Sequence, residues 1–203
     1  MSLSLTVNTH DTASSALAAL DSMLTPGQIA ASVGEAETAL FQNHFRNNGE
    51  NKKHWPTTGF WPRAAGATSW QATDGGVTIS VNQTGVRQRY LGGPIQPKNG
   101  RKYLTIPACA EAYGKTARDF SNLKPVPYIS NGHLAFALVE ADATATKNKS
   151  AGRDFAGGGV YFWLVQSVYQ APDSTVLPDK SEIRQTASDA IQSLIGNASG
   201  GAK

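Results

Sequence analysis

The chain reads as an α+β protein: a mostly antiparallel sheet flanked by N-terminal helices and a C-terminal helix, with an extended loop or hairpin arm in its middle. Three observations predict this. Helical periodicity is strongest at the two ends. Strand-like runs fill the middle, above all HLAFALVEA (133–141) and VYFWLVQSV (160–168). Helices, then mostly strands, then a helix is the order of an α+β fold, since an alternating α/β chain interleaves them.

The elements follow in order. LSLTV (3–7) alternates and reads as a short strand. HDTASSALAALDSML then reads as a helix, with Asp11 as N-cap and Leu17, Leu20 and Leu24 on one face. A second helix is better marked. Thr25 is a good N-cap, Pro26 suits the first helical position and Gln28 completes a capping box. Ile29, Val33, Ala36 and Leu40 keep its period, Phe41 and Phe45 broaden the stripe, and Asn and Gly in RNNGENKK stop it. HWPTTGFWPRAAGATSW has no period, and each Trp-Pro pair favours extended backbone, so it reads as irregular until a strand begins near Ser69–Ala72. DGG turns the chain into VTISV (77–81), making a hairpin. GVRQRYLGG reads as a helical turn or more, stopped by its glycine pair, and RKYLTIP as a strand.

VYFWLVQSV is apolar on both faces through Val165, as expected of a central covered strand or one held against a neighbour. Between it and HLAFALVEA lies the polar, Gly-rich DATATKNKSAGRDFAGGG, read as a long hairpin loop. Asp179 and Glu182 have capping-box spacing, and Ile183, Ala187, Ala190, Ile191 and Leu194 mark the last helix. The expected organisation is an N-terminal extension (1–24), one α+β domain (25–196) with an arm at about 89–107, and a flexible tail (197–203).

With 203 residues the chain can bury a core without staples. One cysteine, Cys109, allows no internal disulfide, and four scattered histidines give no zinc spacing. The first residues lack the layout of a signal peptide and no apolar run reaches membrane-spanning length, so the expectation is a soluble protein kept in a reducing compartment. Only 16% of residues are charged, against about 25% on average. The net charge of +3 is uneven. Residues 85–125 hold eight Lys or Arg (Arg87, Arg89, Lys98, Arg101, Lys102, Lys115, Arg118, Lys124) against Glu111 and Asp119, a net +6 that leaves −3 elsewhere.

No catalytic constellation assembles. YGKTARDF (113–120) contains Gly-Lys-Thr, but a P-loop needs a glycine five residues before Gly114, where Cys109 stands. The glycines of AGGGVYFW precede a strand, whereas a dinucleotide site needs them after one. Cys109 has no histidine nearby in sequence and reads as a buried inert thiol. His44, His54 and His133 read as structural. Between Glu50 and Glu140 the only acids are Asp74, Glu111 and Asp119, too few for a paired-carboxylate or two-metal site. The expectation is no enzyme, no cofactor and no metal. The basic block, with Tyr90 beside Arg87 and Arg89, reads as a solvated face in a single copy. Repeated around the axis of a ring it would attract nucleic-acid phosphates.

The order GVRQRYLGGPIQPKNGRKYLTIP, AYGKTARDF, a strand pair, then SVYQAPDSTVLP before a last helix resembles the virion-morphogenesis and tail-completion proteins of tailed bacteriophages, which act where head joins tail. The matching positions are Arg87, Arg89, Gly92, Gly93, Ile95, Pro97, Lys98, Leu104, Ile106 and Pro107, with Val168 to Pro178 as the late element, and the resemblance covers roughly residues 26–195. The chain departs from the pattern in its first 24 residues, in NGENKKHWP before the first tryptophan and in the long 142–159 loop. The resemblance implies a non-catalytic structural protein of the virion neck, assembled in the bacterial host cytoplasm. It would act as a terminator or connector ring of six or twelve copies, a hexamer being the first expectation. Its partners would be copies of itself, neighbouring neck, connector and tail-tube proteins and the genomic DNA in the channel, with no membrane. The arm residues Arg89, Tyr90, Gly92, Gly93, Pro94, Ile95, Pro97 and Tyr103 would meet a neighbour, and Arg87, Lys98, Arg101 and Lys102 would face the channel. Alternatives are a tail-tube or baseplate protein, or a small domain that binds nucleic acid without sequence preference.

Overall fold

The structure is a computed structural model. It describes residues 24–48, 58–130, 133–141 and 159–200, together with Trp55 and, towards the N-terminus, Ser14, Leu17, Ala18, Asp21 and Ser22. The expected 3–7 strand, the AGGG run up to Gly158, the 142–158 part of the long loop and His54 lie outside the described residues. Of the six described residues in the segment expected to form the first helix, five are helical and Leu24 lies outside the helix.

The architecture is α+β with every strand pair antiparallel. The chain gathers into two compact units, one of residues 1–47, 63–83 and 177–203 and the other of 48–62 and 84–176. The first holds the helix α1 (Pro26–Asn47), the hairpin β1 (Thr68–Thr73) and β2 (Gly76–Val81), and the C-terminal helix α4 (Lys180–Gly200). The second holds a short helix α3 (Val86–Leu91) and six strands: β3 (Gly93–Ile95), β4 (Leu104–Pro107), β5 (Leu123–Ser130), β6 (His133–Glu140), β7 (Val160–Val165) and β8 (Val168–Gln170). Helix α2 (Phe60–Gly66) runs across one boundary.

In the helix–hairpin unit, α1 starts at the expected Thr25–Gln28 pair. The Gln28 amide donates to Thr25 Oγ1 at 3.4 Å, and the Thr25 hydroxyl donates to Gln28 Oε1 at 2.6 Å. Its buried face is Ala30, Gly34, Glu37, Phe41 and Phe45. The hairpin packs against α1, with Trp70 opposite Ile79 across the ladder. Gly34 lies against the Trp70 indole so closely that a Cβ there would overlap the ring. α4 packs along α1, and the Ser32 hydroxyl donates to the Ala190 carbonyl at 3.2 Å. Its cap is Asp179, but through Ser181: the Ser181 amide and hydroxyl donate to Asp179 Oδ1 at 2.8 and 2.6 Å. The helix continues to Gly200, through residues expected to be tail.

In the strand unit the main sheet has the order β4-β7-β6-β5. β7 is therefore the central strand its composition predicts, with Val160 and Phe162 buried. Ala137, Val139 and Val160 form a buried cluster on which Ala108, Val126, Tyr128 and Trp163 pack. A register shift between Leu138 and Val139 marks a bulge against β7.

Two elements were not expected. α2 forms in the segment that reads as irregular, because Trp61 and Pro62 fall in its first turn, where a proline loses no hydrogen bond. Its inward Ala64 and Ala65 are fully buried. β5 contains Pro125 and Pro127, which argue against a central strand. It is an edge strand, where a proline's missing N–H can face away from the ladder.

Candidate assembly surface

The segment expected to be an arm is held at both ends by its own chain. Gly93–Ile95 pairs with Gln170–Val168, and Leu104–Pro107 pairs with Val165–Phe162. Residues 93–107 therefore run antiparallel to 160–170, interrupted by an excursion at 96–103 opposite Gln166 and Ser167. What projects is this excursion rather than a free strand. β3 and β4 are each paired on one side only, so a strand from a neighbour would have to add along their outer edges.

The glycine pair explains itself at the crossing. Gly92 has φ 68°, and a Cβ there would stand 2.6 Å from the Pro172 nitrogen and 2.7 Å from the Gln170 carbonyl oxygen. Only glycine lets the two backbones approach so closely. The Gln88 side-chain amide donates to the carbonyls of Gly92 at 3.0 Å and Gly93 at 3.2 Å. The Asp173 amide donates to the carbonyls of Arg89 and Tyr90 at 3.1 and 3.3 Å, satisfying the last turn of α3. Sequence reading passed over Gln88 and Asp173. Neither is among the positions matched to the family; Gln88 acts on glycines four and five residues on, whereas Asp173 acts on a segment brought close only by folding.

The arginines do not act as a pair. In a helix two residues apart means about 200° apart, so Arg87 and Arg89 leave α3 on opposite sides. Arg89 places its guanidinium 4.7 Å from the centre of the Phe60 ring and 5.6 Å from that of Trp61, an edge-to-face pair at 4.8 Å. Tyr90, Ile95, Pro97 and Tyr103 are half-buried and Pro94 is exposed. Tyr103 packs edge-on against Phe136 at 6.0 Å.

Two of the four residues expected at a channel close one turn and a third, Lys102, follows it directly. Arg101 N–H donates to the Lys98 carbonyl at 3.3 Å across Asn99 (φ 57°) and Gly100 (φ 72°). Both central residues are left-handed, as an Asn-Gly turn of the type I′ family requires. Lys98, Arg101 and Lys102 are all exposed, and Arg87 is exposed on α3.

The surface that sequence reading missed lies on the β5–β6 ribbon. Ile129 and Leu134 face each other across the ladder and are 68% and 64% exposed. Pro125 and Pro127, exposed on the same side of β5 as Ile129, extend the apolar corner along the edge. The prolines also remove backbone donors from β5, so the edge is poorly suited to strand addition and its side chains are what it offers. Tyr169 on β8 and Leu91 on α3 are further exposed apolar groups. The alternating prolines of LKPVPYIS were the available signal, but they argue against a strand before they argue for an edge.

In YGKTARDF a 3₁₀ turn (Ala117–Asp119) is closed by Asp119 Oδ2, which accepts from the Thr116 amide at 2.7 Å and hydroxyl at 3.1 Å. These bonds hold the exposed Asp119 carboxyl below its usual range. The Lys115 ammonium lies 5.4 Å from the centre of the Phe120 ring. Cys109 is half-buried, and desolvation pushes its thiol up, away from the thiolate a nucleophile needs. His44 packs edge-on against Phe45 at 6.0 Å. Among the described residues no group of His, Cys, Asp and Glu could hold a metal ion, and no helix is long and apolar enough to cross a membrane.

No protein-family model matches the chain, no characterised protein matches its sequence, and no solved structure matches its fold. The likeness to phage neck proteins therefore stands on its motif residues alone.

Proposed function

We propose that this chain is a structural protein of the phage virion neck, a subunit of a tail-completion, terminator or connector ring that joins head to tail around the DNA channel. The motif residues Arg87 to Pro107 supply the family reading. The observation that carries self-assembly is the exposed Ile129–Leu134 pair on a proline-bearing edge. A second copy of this chain is the occupant that charge favours. The helix–hairpin unit holds five Lys or Arg and eight acids, a net −3, and the strand unit thirteen and seven, a net +6. Opposite charges on the two units suit a head-to-tail contact between copies, and such contacts close into rings.

Native mass spectrometry of the purified full chain tests this. A closed oligomer is expected for the wild type, and a monomer with unchanged circular dichroism for Ile129→Asp/Leu134→Asp. A monomeric wild type, or a double variant that assembles normally, overturns the self-assembly reading. Density for the chain at the neck of a reconstructed particle is the corresponding test of location.

One observation favours a second reading, a domain that binds nucleic acid without sequence preference: Lys98, Arg101 and Lys102 are exposed at and just after one turn. That reading expects monomer to shift duplex DNA in low salt, and replacing the three by Ala to flatten the salt dependence by roughly one unit per lost phosphate contact.

A further inference from the structure

The buried face of α1 contains one group that does not belong to an apolar stripe. Glu37 lies between Gly34 and Phe41 and is only 4% exposed. Among the described residues neither of its carboxylate oxygens has a hydrogen-bond partner, and the buried Oγ1 of the adjacent Thr38 has none either. A carboxylate taken out of water without donors is among the least favourable arrangements in a protein, and such a group usually neutralises instead.

Among the described residues no neighbouring charge relieves it. The hairpin strands β1 and β2, which pack on α1, contain no titratable residue. α4, packed along the other side, carries Lys180, Glu182, Arg184 and Asp189, and all four are exposed. On α1 itself Glu35 and Arg46 are exposed, and His44 stands two turns further on against Phe45. Asp21, Arg63 and Asp74, elsewhere in the unit, are exposed as well. Desolvation is accordingly the one cause acting on the Glu37 carboxyl, and it raises its pKa.

We propose that Glu37 is a proton-operated latch in the helix–hairpin unit. The unit packs with this carboxyl neutral, and loss of its proton to solvent loosens α1 where Trp70 meets it at Gly34. The sign follows from linkage. With a folded-state pKa above the ordinary carboxyl value, the folded chain holds a proton that the unfolded chain has released. Stability from this group is therefore full below the ordinary value of 4.5 and is lost as pH rises through the raised value. Asp119 and Asp179, whose carboxyls are held low by hydrogen bonds, act in the opposite sense and lose their contribution as pH falls.

The test compares the full chain with Glu37→Gln, which keeps the shape and removes the titration. Denaturant melts from pH 4 to pH 8 give the ratio of the two unfolding constants, in which Asp119 and Asp179 cancel. The variant is expected to gain on the wild type as pH rises, by about fivefold or more across the range. Carboxyl carbon NMR should show Glu37 of the wild type titrating above the ordinary carboxyl range. At pH 7.5, hydrogen exchange along α1 should be slower in the variant. A ratio that stays constant with pH, or a Glu37 signal titrating in the ordinary range, overturns the proposal. If Glu37→Gln fails to fold, the NMR titration of the wild type decides alone.

Discussion

The helix–hairpin unit and the strand unit differ in where they leave polar groups and in how tightly they fix backbone. In the strand unit the critical crossing is fully bonded. Gln88 clamps two carbonyls, Asp173 satisfies two more, and Gly92 admits a backbone-to-backbone approach. Aromatic edges interlock around its sheet: Tyr128 with Trp163 at 5.2 Å, and Phe120 with Tyr161 at 5.0 Å and with Phe162 at 5.8 Å. The helix–hairpin unit also makes one very close approach, Gly34 on Trp70, but a turn later it buries a carboxyl with no partner among the described residues. A unit in which no described buried side chain lacks a partner has one arrangement. A unit holding an unsatisfied acid has an arrangement that solvent conditions can change. The strand unit is thus the place to look for fixed geometry and surface contacts, and the helix–hairpin unit the place to look for adjustment.

The sharpest way to break this contrast is at the two glycines. Gly92→Ala meets backbone on both sides and a left-handed φ, so neither neighbour can swing away. About 1–3 kcal/mol of backbone strain, since φ 68° with ψ −162° is open to little but glycine, adds to about 1–3 kcal/mol of overpacking. Gly34→Ala meets the body of a side chain, the Trp70 ring, which can tilt if the hairpin yields, so only the overpacking applies. Peptide-resolved hydrogen exchange should show protection lost first at 86–107 and 168–173 for Gly92→Ala, and first along α1, β1 and β2 for Gly34→Ala. Uniform loss over both units in either variant would mean that the two units are one in energy.

A smaller effect is expected at Gln88→Leu, which keeps the bulk and removes both donors to the Gly92 and Gly93 carbonyls. Leaving half-buried carbonyls without them costs about 1–3 kcal/mol. The loss should appear as a lower denaturant midpoint with an unchanged m-value. If Leu is tolerated as well as Gln, water already serves those carbonyls and the crossing is less fixed than its geometry implies.

These variants also mark how far the sequence was legible. Elements with a local cause were readable: the Thr25–Gln28 pair, the hairpin turning at Asp74, the central strand at Val160–Val165 and the helical turn before the glycine pair. What was hidden depends on distant partners. The reason Gly92 must be glycine is Gln170 and Pro172, almost eighty residues away. The apolar corner at Ile129 and Leu134 needs the register of a strand that its own prolines disguise. Glu37 fell among helical apolar positions, where an acid is expected to point outward, and only packing shows that it does not. The basic residues were readable as a block, but their grouping was not. It separates Arg89, lying over aromatic rings, from the exposed turn of Lys98 and Arg101 and from Lys102 just after it.

The smallest expected effect tests that separation directly. Arg89→Ala removes a guanidinium lying over Phe60 and near Trp61 at an exposed position, a contact worth about 0.5–1 kcal/mol. Arg87→Ala, on the opposite side of α3 and exposed, should stay within about 0.5 kcal/mol of the wild type. A double-mutant cycle of Arg89→Ala with Phe60→Leu isolates the ring contact from the loss of charge, because each single change removes one partner only. A coupling near zero would show the contact to be idle. The same pair of arginine variants separates two views of the basic block. Were Arg87 and Arg89 a joint clamp on phosphate, each substitution would weaken DNA binding equally. Two arginines about 200° apart on one helix cannot face the same phosphate run, so the helix geometry expects unequal losses in a salt titration, the larger at the arginine that no ring holds.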